Sequence, residues 1–255
     1  MSVLMDFNRF FICSSFIFFP LLFSIHAEEK EHSRSEIIAH LGELPGLINA
    51  DGSGPFVDFV RRIDELDPDI KINIYVYPIH RALYGIINGS ANFALPAIRT
   101  DDPEKKLPFR FSSKTFGLVT HVLYTNKNKT FTSEQLWSQP NNYTIEAVPE
   151  YMPFNVSRSS SINSSLLKLS MGRIDGFVWA QEEADIALRQ LDLENIHRQF
   201  FYDFEDVFII PKGNKGNKGD WIDDYLTRMI DKLKESGELE AIYKTIHLPY
   251  DDWQF

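Results

Sequence analysis

Two arginines, two glutamates and a tryptophan have the types and positions to hold another molecule. Arg81 opens an apolar stretch shortly after Pro78, where a guanidinium can grip a carboxylate through two parallel hydrogen bonds. Arg99 offers the same fork from a polar turn. Glu43, between Gly42 and Leu44, can receive an ammonium group, and Trp179, closing an apolar run, can stack on a flat ligand. Glu182 follows Gln181 where a helix is expected to start. His40 and His80 are not accompanied by a His, Cys, Asp or Glu set at metal-ligand spacing, so neither is read as a metal ligand. The loop Lys212-Gly213-Asn214-Lys215-Gly216-Asn217-Lys218-Gly219 lacks the Gly-Lys-Ser/Thr ending of a phosphate-binding loop and reads as a solvated connection.

The elements that must position these residues alternate. Residues 37–41 read as a buried strand, and Pro55 fits the first turn of a helix whose Phe56, Val57, Phe59, Val60, Ile63 and Leu66 recur on one face. Ile70, Ile72, Ile74 and Val76 alternate as in a strand. A helix carrying Leu83, Ile86 and Ile87 follows and stops at Asn88-Gly89, and residues 93–96 form a third strand. Strand, helix, strand, helix, strand argues for parallel pairing with right-handed crossovers. A second unit starts at residues 118–124, a β-rich run, with a short helix capped by Thr132 or Ser133. Strands at 143–148 and 176–179, helices at 161–171 and 182–191, and a strand at 207–210 continue it. Residues 220–246 form a helical tail with a break at Gly237.

Residues 10–25 are a nearly unbroken apolar run preceded by Arg9 and followed by Ser24-Ile25-His26-Ala27, the pattern of a signal peptide cut after Ala27. The run is short of the roughly 20 apolar residues a membrane span needs and contains Pro20. The only cysteine, Cys13, lies within it, so the exported chain is expected to fold without disulfides. A formal net charge of −10, with 36 Asp and Glu against 26 Lys and Arg, opposes binding to phosphate backbones. Nucleic acid is therefore not an expected partner.

The order and spacing of several stretches resemble those of extracellular solute-binding proteins of ABC transporters, the polar amino-acid-binding type (family 3). They are Asp51-Gly52-Ser53-Gly54-Pro55-Phe56, Arg81-Ala82-Leu83 with Asn88-Gly89-Ser90-Ala91-Asn92-Phe93, Phe111-Ser112, Met171-Gly172-Arg173-Ile174-Asp175-Gly176-Phe177, and Ser236-Gly237-Glu238-Leu239, with Trp253 near the end. The resemblance implies an α/β, two-lobed periplasmic-binding-protein-like (type II) fold, each lobe a mostly parallel sheet flanked by helices. Residues 1–27 would be the signal peptide, 28–123 and 208–255 lobe 1, and 124–207 lobe 2, with crossings near 122–125 and 203–207. It further implies a periplasmic monomer without a cofactor that closes over a small solute and hands it to an inner-membrane permease or sensor. Ligands in open α/β sheets bind beyond the carboxyl ends of strands. That rule nominates Glu43, Leu44, Pro45, His80, Arg81, Arg99 and Thr100 from the first lobe and Tyr151, Trp179, Gln181 and Glu182 from the second.

Two departures bear on the ligand. Where amino-acid-binding members carry Pro-Glu-Arg, this chain has Pro103-Glu104-Lys105, and an ammonium cannot reproduce the planar fork. Where they place an aspartate after the equivalent of Asp175, this chain has Ala180 and Gln181, with Glu182 next. The expected ligand is thus an amino acid, an amino-acid derivative or another small carboxylate, with Arg81 or Arg99 as the anion holder. A dehydratase on the same scaffold, using Glu43 or Glu182 as acid or base, and an accessory protein for a membrane sensor are the alternative functions.

Overall fold

The computed structural model of the chain describes residues 34–100, 107–138, 142–149, 152–212 and 218–251. The N-terminal apolar run, the Pro103-Glu104-Lys105 turn, Tyr151, residues 213–217 of the basic loop and Trp253 lie outside the described residues. Among those described, no helix is long and apolar enough to cross a membrane.

The first lobe is built on strands β1 (Ser35–Gly42), β2 (Ile70–Tyr77) and β3 (Phe93–Leu95), with β1 paired in parallel to both others. Two crossover helices join them, α1 (Pro55–Glu65) and α2 (Ile79–Asn88). Proline at the start of α1 costs no hydrogen bond, because the first amides of a helix have no intrahelical acceptor. Its Phe56, Val57, Phe59, Val60 and Ile63 are buried. At the end of α2, Gly89 takes the left-handed conformation (φ 81°) that a side chain would disfavour. Strand β4 (Phe109–Phe111) pairs antiparallel with β10 (Ile209–Pro211), which returns late in the chain, completing the order β2-β1-β3-β10-β4.

The second lobe comprises β5 (Gly117–Asn126), α3 (Ser133–Trp137), β6 (Ile145–Ala147), β7 (Ser157–Arg158), α4 (Ile162–Ser170), β8 (Gly176–Ala180), α5 (Gln181–Gln190) and β9 (Ile196–Asp206). Its sheet has the order β7-β6-β8-β5-β9. Helix α3 starts in a reciprocal cap: the Thr132 hydroxyl accepts from the Gln135 amide, and the Gln135 side chain accepts from the Thr132 amide at 2.8 Å. Apolar layers cover both sheet faces, with Leu123, Leu136 and Phe201 on one and Val122, Leu166 and Phe177 on the other.

The chain then re-enters the first lobe through β10 (Ile209–Pro211) and ends in α6 (Lys218–Glu235) and α7 (Glu238–Tyr243). Ile222, Tyr225, Met229, Ile230 and Leu233 of α6 join Ile37, Leu41, Phe59 and Phe93 in one core. Each such side chain taken out of water contributes about 1.5–3 kcal/mol.

Two details differ from the sequence reading. Strand β5 pairs along its whole length with β9, from Gly117–Asp206 to Asn126–Ile196, so the second sheet begins at Gly117, ahead of the crossing expected near 122–125. Strand β9, eleven residues long, carries no regular alternation: a bulge opposite His121/Val122 interrupts its register, and its charged Arg198 is buried. The crossings themselves are paired. Val207 donates its amide to Ala97 (2.9 Å), Arg99 to Glu205 (2.8 Å), Ser112 to Phe208 (2.8 Å) and Phe116 to Asp206 (3.1 Å).

Candidate functional site

A cavity of about 340 Å³ lies where the two lobes meet at these crossings. From the first lobe, Leu44 follows β1, Ile79 and His80 open α2 after β2, and Pro96, Ala97 and Ile98 follow β3. From the second, Val119 and His121 come from β5, Ala147 ends β6 and Val148 follows it, Arg158 ends β7 and Ser159 follows it, and Val178, Trp179 and Ala180 end β8. Most of this wall is apolar; the polar groups gather at its rim and floor.

At the rim, Arg158 is exposed and Ser159 is held by its amide to Ala147 (3.0 Å) and by its hydroxyl to Ser165 (2.7 Å). Ser165 in turn donates to Glu146 (2.6 Å), which pairs with Lys168 at 2.7 Å. This chain of bonds fixes the backbone from which Arg158 projects. On the wall, Trp179 stacks on Phe177 with ring centres 5.7 Å apart and donates its indole N–H to Glu183 at 2.6 Å. Burial pushes the Glu183 carboxyl up, against the pull of that N–H.

The floor is made by Asp206, the last residue of β9, and by His247, which follows α7. Asp206 is 1% exposed. Its Oδ2 accepts from the Tyr243 hydroxyl at 3.4 Å and lies 3.7 Å from His247 Nε2, while its buried Oδ1 has no hydrogen-bond partner. Loss of hydration pushes Asp206 up to about 7. Burial opposes a charge on His247, but Glu182, Asp206 and Glu183 outweigh it and raise its pKa above that of an ordinary histidine. His247 Nδ1 sits 3.3 Å from Glu182 Oε1, within ion-pair range though off the line of a hydrogen bond. His121, edge-on to Phe204 at 4.7 Å, is pushed down to about 4 by burial and is neutral at pH 7. Gly117 permits this packing, because a Cβ there would overlap the Tyr243 ring.

Of the residues nominated from sequence, Leu44, His80 and Trp179 line the cavity. Glu43 and Pro45 are exposed beside Leu44, and Thr100 is half-buried beyond the wall. Arg81 lies over the Tyr77 ring, 4.4 Å from its centre, in a separate hollow with His40 and Tyr75. Arg99 pairs with Glu205 at 2.5 Å and donates to the Ser112 carbonyl, fastening the crossing. Gln181 and Glu182 sit behind the cavity: Gln181 donates to the carbonyls of Leu248 (2.7 Å) and Pro249 (3.1 Å), and Glu182 accepts from the Leu248 amide (3.0 Å). Sequence reasoning did not single out Arg158, Ser159, Glu183, Asp206 and His247. The strand-end rule could have found Arg158 and Asp206 had β7 and β9 been legible. For His247, which enters from the tail, the sequence carries no signal. Among the described residues no group of His, Cys, Asp and Glu could hold a metal ion.

No family model matches the chain, and no curated protein matches it. Solved structures do. The chain is similar to the GluR0 ligand-binding core from Nostoc punctiforme, crystallised with L-glutamate, at a TM-score of 0.59 and 14% identity over 84% of this chain and 100% of that one. A histidine kinase sensor domain with similarity to periplasmic binding proteins aligns at a TM-score of 0.60 and 12% identity, over 82% and 95%. The probable amino-acid ABC transporter extracellular-binding protein ytmK from Bacillus subtilis aligns at 0.58 and 14%, over 83% and 97%. At these identities the likeness concerns the fold.

Proposed function

We propose that this chain, a two-lobed α/β protein with the periplasmic-binding-protein-like fold, is a binding protein that captures a small solute between its lobes and delivers it to a membrane partner. One observation carries the reading: the cavity takes its walls from both lobes and its floor from the crossing strands, so a solute there would contact every part that moves when the lobes close. The apolar middle suits a small organic body. Arg158 at the rim suits a carboxylate, and the Asp206 carboxyl on the floor suits a positively charged end, which together fit an amino acid or a derivative of one. Export to the periplasm and action as a monomer belong to the same proposal. Similar structures include both a transporter component and a sensor domain, so the partner is a permease or a receptor, and binding is the step both share.

Native mass spectrometry of gently purified protein, followed by thermal shift against amino acids, small carboxylates, polyamines and sugars, tests the reading. A solute at 100 to 1,000 times its Kd raises stability by about 3–4 kcal/mol. Ala147→Phe, which fills the cavity from the β6 wall, is expected to abolish that shift. A ligand that binds Ala147→Phe undiminished rules the cavity out, and a product peak in place of bound solute makes the protein an enzyme.

A further inference from the structure

The segment after α7 does not stay with the lobe that α7 belongs to. Ile246 is buried in the first-lobe core, while Leu248, Pro249 and Asp251 are held by Gln181, Glu182 and Arg198 of the second. Tyr250 lies beneath the Arg198 guanidinium, 4.9 Å from its carbon, and edge-on to Phe200 at 5.6 Å. The tail is therefore a third connection between the lobes, and His247 is the residue at its midpoint. The imidazole rests against Phe56 of the first lobe (5.8 Å) and faces Glu182 of the second and Asp206 of the crossing.

Resting on the solute-binding reading above, we propose that Asp206 and His247 form a proton-exchanging pair through which the cleft couples solute capture to pH, favouring a cationic group as the pH rises from 6 to 8. The geometry supplies the reason. Asp206 Oδ1 is buried, lines the cavity and has no donor, and an unsatisfied carboxylate in that position is costly unless it is protonated or met by a donor from the ligand. An arriving ammonium group takes the place of the proton, which leaves to solvent. A protonated His247 repels that ammonium and a neutral one does not, so both groups shift affinity in the same direction. The other ionisable groups facing the pair are Glu182 and Glu183 of α5, Tyr243 of α7 and His121 of β5. The two glutamates favour the cation, and His121 is neutral throughout this range. Burial brings the Asp206 titration to about 7, and the carboxylates around His247 raise its pKa above that of an ordinary histidine.

Two measurements decide the matter. Without any ligand, the His247 ring resonances of the isotope-labelled protein are followed against pH in the wild type and in Asp206→Asn. The expected result is a titration above the ordinary histidine value that moves down in the variant; an unchanged titration overturns the pair. With ligand, phenethylamine and 2-phenylethanol serve as a matched cationic and neutral probe. Phenethylamine is expected to bind up to about tenfold more tightly per pH unit between 6 and 7, levelling toward 8, with the slope reduced in Asp206→Asn and lost when His247→Gln is added. Equal pH dependence for both probes, or a slope undiminished in Asp206→Asn, contradicts the coupling while leaving solute capture intact. If neither probe binds, the ligand-free titration still decides the pair, and the thermal-shift panel decides solute capture separately.

Discussion

Two aspartates lie buried a short way apart in the sequence of contacts made by the C-terminal tail, and they are treated differently. Asp185, on α5, is met by the Arg198 guanidinium at 3.0 and 2.9 Å and by the Tyr124 hydroxyl at 2.7 Å. Arg198 also donates to the Asp251 carbonyl, which ties the ion pair to the tail. Asp206 has a distant histidine, a long contact from Tyr243 and one oxygen left bare toward the cavity. Both are nearly inaccessible to water. Burial of a charge marks structure when its partners are complete, and marks a site when they are not.

The largest expected effect comes from breaking the complete group. Arg198→Met strands the Asp185 carboxylate in an apolar layer and is expected to cost about 3–5 kcal/mol in denaturant unfolding. A loss below about 1 kcal/mol would mean the ion pair is not the element that closes this lobe.

Asp206→Asn should act in the opposite sense. A carboxyl whose folded pKa is raised holds its proton in the native state after the unfolded chain has lost it. Stability then falls by about 1.4 kcal/mol for each pH unit between the unfolded value near 4 and the folded value of about 7. Removing the charge is expected to raise the melting temperature at pH 8 relative to wild type and to have little effect at pH 4. His247, raised in the folded state, contributes stability that is complete below its unfolded value and is lost as pH rises through its folded one. His247→Gln should therefore be more damaging at pH 5.5 than at pH 8.5, read by the same melts.

A smaller change separates the tail from the second lobe. Gln181→Ala removes both bonds to the Leu248 and Pro249 carbonyls and is expected to cost about 1–2 kcal/mol, with faster amide exchange confined to residues 248–251. Exchange that stays slow there would show the strap to be held by other contacts. Least of all, Arg81→Ala should lose up to about 1 kcal/mol of its contact with the Tyr77 ring and leave solute affinity unchanged. A tenfold loss of affinity would bring the outer hollow into the binding mechanism.

Much of the architecture was legible because apolar period decides it. The α1 stripe from Phe56 to Ile63, the alternation of β2 and the capping box at Thr132 each point to the element that forms. Strand β9 was not legible because its bulge and its buried Arg198 erase the period-two pattern. The rule of strand ends led to Leu44, His80 and Trp179, which depend only on local order. It did not lead to Asp206 and His247, which meet across 41 residues through the return of the chain and the tail. Such a meeting has no local signature, and a carboxylate seen in sequence carries no mark of whether its partners are complete.

In the proposed complex the solute sits between the lobes with its charged end on the Asp206–His247 floor. The most direct test is a crystal structure of the protein with the first solute that raises its melting temperature. Density enclosed between Trp179, Ala147 and Asp206, with a donor within 3.2 Å of Asp206 Oδ1, is the predicted result. A solute seated on one lobe alone, for example against Tyr75 and Arg81, with the space between the lobes empty, would contradict it.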